Sequence, residues 1–166
     1  KRGRAAIRDV LELVPFMAVG LFFAFLTIKA EAPKVAVHAE MLQFTFLDRC
    51  GIAGRALWFY ASKLLWPYPL TAVYPRWEVD ASAAPVLLLY PLCALGAFAG
   101  LWLRCEHLGR GALAAALIFA GALAPVLGFF NHSTMSMTFV ADHYQYHASV
   151  ALLALVAAAA HSVVSS

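Results

Sequence analysis

The chain has 166 residues, 63% of them hydrophobic and 13% charged, against about half and about a quarter in a soluble domain. That balance excludes an ordinary soluble protein and predicts a membrane-embedded one. A net charge of only +3, with basic residues not interleaved with aromatics along one face, excludes nucleic acid as a partner.

The first predicted element is a span over about 10–29, whose core 13–28 lies between Glu12 and Lys29, both long enough to reach the headgroups. The basic start Lys1-Arg-Gly-Arg4 is not read as a secretory signal, because no small-residue cleavage site leads into a soluble domain. The chain begins without methionine, so a piece of a longer polytopic protein is expected. Next comes 51–66, apolar but interrupted by Arg55 and Lys63, which fall about 80° apart in helical projection with Ser62 beside them. Leu57, Trp58, Leu64 and Leu65 occupy the rest, a pattern that predicts an interfacial or re-entrant helix rather than a span. Pro67, Pro69 and Pro75 close it and hold 68–74 extended.

Two further spans follow, 81–103 and 111–130, neither with a charged side chain and each long enough at about 1.5 Å per residue to cross about 30 Å of hydrocarbon. Pro125 kinks the second of them toward the loop it feeds. The last, 146–164, is Ala-rich. The expected fold is therefore all-α, a single transmembrane domain fragment over 1–166 with about four spans and one interfacial helix. Cys50, Cys93 and Cys105 are odd in number, lack Cys-x-x-Cys spacing and read as packing residues.

Basic residues set the orientation. Lys1, Arg2, Arg4 and Arg8, and then Arg104 and Arg110 around the short 104–110 connection, read as cytoplasmic flanks. The loop 131–147 has no Lys or Arg and suits the opposite side. The region 29–80 is nearly balanced: Lys29, Lys34, Arg49, Arg55, Lys63 and Arg76 against Glu31, Glu40, Asp48, Glu78 and Asp80. Two polar stretches, Tyr74-Pro-Arg-Trp-Glu-Val-Asp80 and Phe139-Val-Ala-Asp-His-Tyr-Gln-Tyr-His147, then fall on one side, whether or not 51–66 spans. That pairing predicts a shared site.

Within it, the Arg76 guanidinium suits a phosphate held by two parallel hydrogen bonds, and the Trp77 indole suits a sugar face or a lipid headgroup. An aromatic belt with a snorkelling arginine uses the same residues. Glu78 and Asp80 are placed to orient the arginine or to receive hydroxyl protons. On a helix, Asp142 neighbours Tyr146 and His143 neighbours His147. The carboxylate, Tyr144 and Tyr146 suit sugar hydroxyls and the imidazole suits a phosphate; helix capping by Asp142 with tyrosine anchors is the plainer alternative. The spacing also allows a two-histidine metal site with His132 or Asp142 as a further ligand, but it fixes no third ligand, so no metal is assigned and metal dependence stays open. Arg55 and Lys63, about two turns apart, are placed to steer an anionic headgroup into the groove beside their helix. His38, His107 and His161 receive no role, and Asn131-His-Ser133 matches the glycosylation sequon but lies too near the membrane to be read as modified.

Arg55-Ala-Leu-Trp-Phe-Tyr-Ala-Ser-Lys-Leu-Leu-Trp-Pro67, Leu70-Thr-Ala-Val-Tyr-Pro-Arg-Trp77, Gly128-Phe-Phe-Asn131 and Phe139-Val-Ala-Asp-His-Tyr-Gln-Tyr146 together resemble the bacterial multi-spanning membrane proteins with C-terminal tetratricopeptide repeats. Those are similar to the eukaryotic transmembrane and tetratricopeptide-repeat O-mannosyltransferases. The resemblance implies a glycosyltransferase of the GT-C superfamily in the bacterial inner membrane. Such an enzyme takes a sugar from a polyprenyl-phosphate carrier and transfers it to a protein or glycan hydroxyl on the periplasmic face. Direct displacement is expected, with a carboxylate as base and cations on the departing phosphate. In that scheme Arg76 and His143 suit the phosphate, and Asp142, Tyr144 and Tyr146 shape the pocket. The resemblance also places the main acidic residue in an earlier loop and the repeats downstream, both outside this chain, which has no Asp-x-Asp or Asp-Glu pair. Where the eukaryotic relatives tend to have Arg or Glu-Arg, this sequence has Asp142-His143, so a titratable imidazole replaces a permanent cation.

Two other functions compete. A non-enzymatic anchor for a tetratricopeptide-repeat domain would use the aromatic loops only to seat helices. A transporter or flippase needs charged groups along a path through the membrane, and 81–103 and 111–130 supply none.

Overall fold

The computed structural model describes residues 2–79 and 84–164. They are all-α, with no strand among them, and form two units, Lys1–Ala39 and Glu40–Ser166. The first unit is helix α1, Arg2–Val37. It runs about two turns beyond the expected end of the first span. Lys29, Glu31 and Lys34 continue the helix rather than stopping it, helped by the Lys34–Glu31 ion pair at 2.8 Å. Pro15 and Pro33 are accommodated inside it.

The second unit begins its helices with α2, Phe46–Leu65. The apolar run alone suggests a start at 51. The helix starts earlier because Thr45 and Asp48 form a capping box, in which Thr45 Oγ1 accepts from the Asp48 N–H at 3.2 Å and Asp48 Oδ2 accepts from the Thr45 N–H at 2.9 Å. It ends two residues before Pro67, where a proline forces the preceding residue out of helical geometry.

Helix α3, Ala84–Leu103, lies alongside α2 in the same direction, Gly51 meeting Leu87 and Gly54 meeting Pro91. A Cβ built on Gly54 falls 2.3 Å from the Pro91 backbone nitrogen, so the missing side chain sets the helix separation. Trp58 Nε1 donates to the Tyr90 carbonyl at 3.1 Å across the same seam. One-turn α4, Cys105–Leu108, and Gly109 at φ 79° lead into α5, Arg110–Leu123. The expected kink at Pro125 is instead an end: a 3-10 turn, Ala124–Val126, follows α5, and 127–130 are bends. The loop carries two more 3-10 turns, Ser133–Ser136 and Asp142–Gln145, before α6, Tyr146–Val164. Asp142 and His143 therefore precede α6, and the expected one-helix pairs with Tyr146 and His147 straddle a junction.

The core joins Ala53, Ala56 and Tyr60 of α2 to Phe119 and Leu123 of α5, Leu127, Val140, and Ala148 of α6. Helix α2 is thus covered on two sides, by α3 and by this core, whereas an interfacial helix would present one broad polar face to water. Leu65 and Trp66 at its end stand exposed. Two stretches among the described residues, Leu11–Val37 and Val86–Leu103, are long and apolar enough to cross a membrane, and Arg110–Val126 is apolar but shorter. Residues 81–83 of the expected second span lie outside the described residues, as does Asp80.

Candidate cation and aromatic site

After α2 the chain doubles back along it as an extended strap, 66–79. The Lys63 ammonium donates to the Pro69 carbonyl. The Tyr74 ring packs edge-on against Phe59 at 4.8 Å, and the Trp77 ring lies 6.2 Å from Phe59. The Tyr68–Pro69 bond is cis. The strap meets the last loop, as the paired stretches predict: Trp77 lies 5.7 Å from Phe139, and the Arg76 guanidinium lies 5.1 Å from the Phe139 ring and 5.4 Å from Phe44. Arg76 also donates to the Met41 carbonyl.

Arg55 is held differently. Its guanidinium stands 4.3 Å over the Trp77 ring and 5.9 Å from Tyr90, and it makes no hydrogen bond among the described residues. Two ring faces orient it and leave its donors open. Lys63 lies 5.6 Å over Phe59 and 5.2 Å over Tyr74. Among the described residues no Asp or Glu pairs with Arg49, Arg55, Lys63 or Arg76. Glu78 is exposed and neither bonds nor pairs with Arg76, and Asp80 falls outside the described residues.

Asp142 is 7% exposed, and its carboxylate is occupied. The Thr71 N–H donates to Oδ2, and the Tyr74 hydroxyl lies 3.0 Å and 3.1 Å from its two oxygens. The 3-10 turn that begins at Asp142 has no side-chain cap, so the residue neither caps a helix nor offers a free carboxylate to a ligand. Tyr144 shares a 2.7 Å hydrogen bond with Thr134 and packs edge-on with His143 at 4.5 Å. His143, Tyr146 and His147 are exposed. No three His, Cys, Asp or Glu side chains converge among the described residues, so His143 and His147 gain no further metal ligand.

Three elements of the site are not evident from the sequence. Arg49, one turn into α2, donates to the Gly128 carbonyl at 2.8 Å and to Asn131 Oδ1 at 2.8 Å, fixing the loop that leaves α5. Asn131 is exposed, with its side-chain oxygen held by Arg49. Gly128 sits at φ 97°, a conformation that side chains resist, with Ile52 and Met135 against it. Tyr60 is fully buried, its hydroxyl accepting the Ala141 N–H at 3.1 Å, and burial pushes its phenol well above the usual range. Below the site, an apolar cavity of about 150 Å³ opens between Leu57 and Trp58 of α2, Phe98 of α3, Phe119 of α5 and Leu152 of α6.

No protein-family model, curated protein or solved structure matches the chain.

Proposed function

We propose that these residues form the lipid-phosphate-binding part of a membrane glycosyltransferase that moves a sugar from a polyprenyl-phosphate carrier to a protein or glycan hydroxyl on the non-cytoplasmic face. The observation that carries this reading is Arg55: a guanidinium stacked on Trp77, with open donors and no carboxylate paired with it among the described residues. Such a group binds a phosphate by two parallel hydrogen bonds, and the rings keep it aligned while water is displaced. Arg76 and Lys63 add positive charge along the same strap. In transfer, the acceptor oxygen bonds to the anomeric carbon as the bond from that carbon to the phosphate oxygen breaks. The electron pair leaves on the phosphate, where Arg55 stabilises it. The acceptor proton passes to a carboxylate of the parent protein outside this chain. Tyr146 and His143, exposed at the loop, are available to the sugar and headgroup. The two long apolar stretches suit a membrane location, and the reading adds 111–130 and 146–164 as further crossings in a bacterial inner membrane with the strap toward the periplasm.

The test is transfer of labelled sugar by the full-length parent in proteoliposomes at matched folded amounts. Arg55→Ala lowers transfer by about 100-fold or more, and Arg55→Lys restores only part, since an ammonium lacks the planar fork. Wild-type transfer in both variants would reject the phosphate role. A non-enzymatic anchor for a repeat domain is favoured by one observation, the internal use of Asp142; it requires that no polyprenyl-phosphate donor supports transfer.

A further inference from the structure

We infer that Asp142 is a positioning residue: its buried carboxylate latches the strap over α2 and thereby holds Trp77 against Arg55. The functional half of this inference rests on the glycosyltransferase reading; the latch itself does not. The geometry is a chain of contacts. The Asp142 oxygens accept from the Thr71 N–H and the Tyr74 hydroxyl, which lie in the middle of the strap. Tyr74 packs on Phe59, and three residues on, Trp77 packs on Phe59 and carries Arg55 on its face. Apart from this carboxylate, the strap is held by Lys63 on the Pro69 carbonyl, by Arg76 on the Met41 carbonyl, and by ring contacts. Much of its outer side is exposed, including Tyr68, Leu70 and Val73. An acceptor that is almost fully buried and receives two donors from one exposed segment is the strongest single tie that segment has. At 7% exposure the carboxylate is also closed off from an incoming acceptor hydroxyl, which separates this role from that of a general base.

The latch is distinguishable from a base because an amide can replace it. In Asp142→Asn the amide oxygen still accepts the Thr71 N–H, and its NH2 donates to the Tyr74 oxygen; in Asp142→Ala the Thr71 N–H loses its partner and the Tyr74 hydroxyl keeps only the Pro69 carbonyl of its own strap. The strap carries its own reporter, the Arg76–Trp77 bond, which trypsin cuts only when Arg76 leaves its place between Phe44 and Phe139. The experiment is limited trypsinolysis of the full-length parent in proteoliposomes, with mass-spectrometric detection of that cut, alongside sugar transfer by the same preparations. Asp142→Ala accelerates the cut by about tenfold or more and loses transfer. Asp142→Asn stays near wild type in both. If Asp142→Ala does not fold, Tyr74→Phe, which removes one of the two donors and keeps the carboxylate, carries the test with a smaller acceleration. Equal protection of the strap in wild type and in these variants would overturn the latch. So would Asp142→Asn losing transfer as fully as Asp142→Ala with the strap still protected, since that is the signature of proton chemistry. Absence of transfer in the wild type would reject the glycosyltransferase reading alone, and the tryptic cut would still decide the latch.

Discussion

Arg49 fastens α2 to the loop that follows α5 through two carbonyl or amide oxygens 79 and 82 residues away in sequence. Hydrogen bonds from a charged donor are the stronger kind, so Arg49→Met is expected to destabilise the second unit by about 1.5–3 kcal/mol, read as a lowered melting temperature of the protein in detergent. Tyr60→Phe removes the acceptor of the buried Ala141 N–H and costs about 1–3 kcal/mol by the same measurement. Neither role is legible in the sequence, because the partners are backbone groups and one asparagine amide, and no spacing rule links them to a side chain so far away. By contrast, Arg55, Lys63, Arg76 and Trp77 stand out in the sequence as cations and rings flanking apolar segments, and the structure brings Arg55 and Lys63 of α2 against the strap that carries Arg76 and Trp77. Asp142 stands out too, but its use is hidden: sequence shows a carboxylate beside tyrosines, and only the fold shows that Thr71 and Tyr74 consume it.

Helix packing separates two glycines that look alike in sequence. A Cβ on Gly51 meets the Leu87 side chain, which can turn aside, whereas a Cβ on Gly54 meets the Pro91 backbone, which cannot. Gly54→Ala is therefore expected to cost about 1–3 kcal/mol through displacement of α3, and Gly51→Ala distinctly less; thermal melts of the two variants side by side check the order. The existence of each long helix is legible from apolar runs, and the limits of 146–164 agree with those of α6. The misjudged ends have local causes. Thr45 and Asp48 start α2 early through a capping box that a scan for apolar residues passes over. Glu31 and Lys34 pair along α1, and Lys29 lies over the Phe25 ring, so the charges continue the helix instead of ending it. Pro125 terminates α5 because a 3-10 turn takes over where the helix would lose its bonding pattern.

At the scale of the molecule, the second unit concentrates Arg49, Arg55, Lys63 and Arg76 around one strap with no acidic partner among the described residues. Unbalanced charge of this kind costs stability through self-repulsion, and a bound anion relieves it. The side-by-side placement of the two polar stretches follows from the order of apolar segments and was therefore readable. The covering of α2 on both sides was not, because Arg55 and Lys63 give it the look of a surface helix while ring faces shelter them in the fold. The most direct test of the central claim is the binding of a labelled polyprenyl phosphate, against the uncharged polyprenol of the same chain, to the protein and to its Arg55→Ala variant. The account predicts that wild type prefers the phosphate by about tenfold or more and that Arg55→Ala loses most of this preference; equal preference in the two proteins, or none in the wild type, would contradict it.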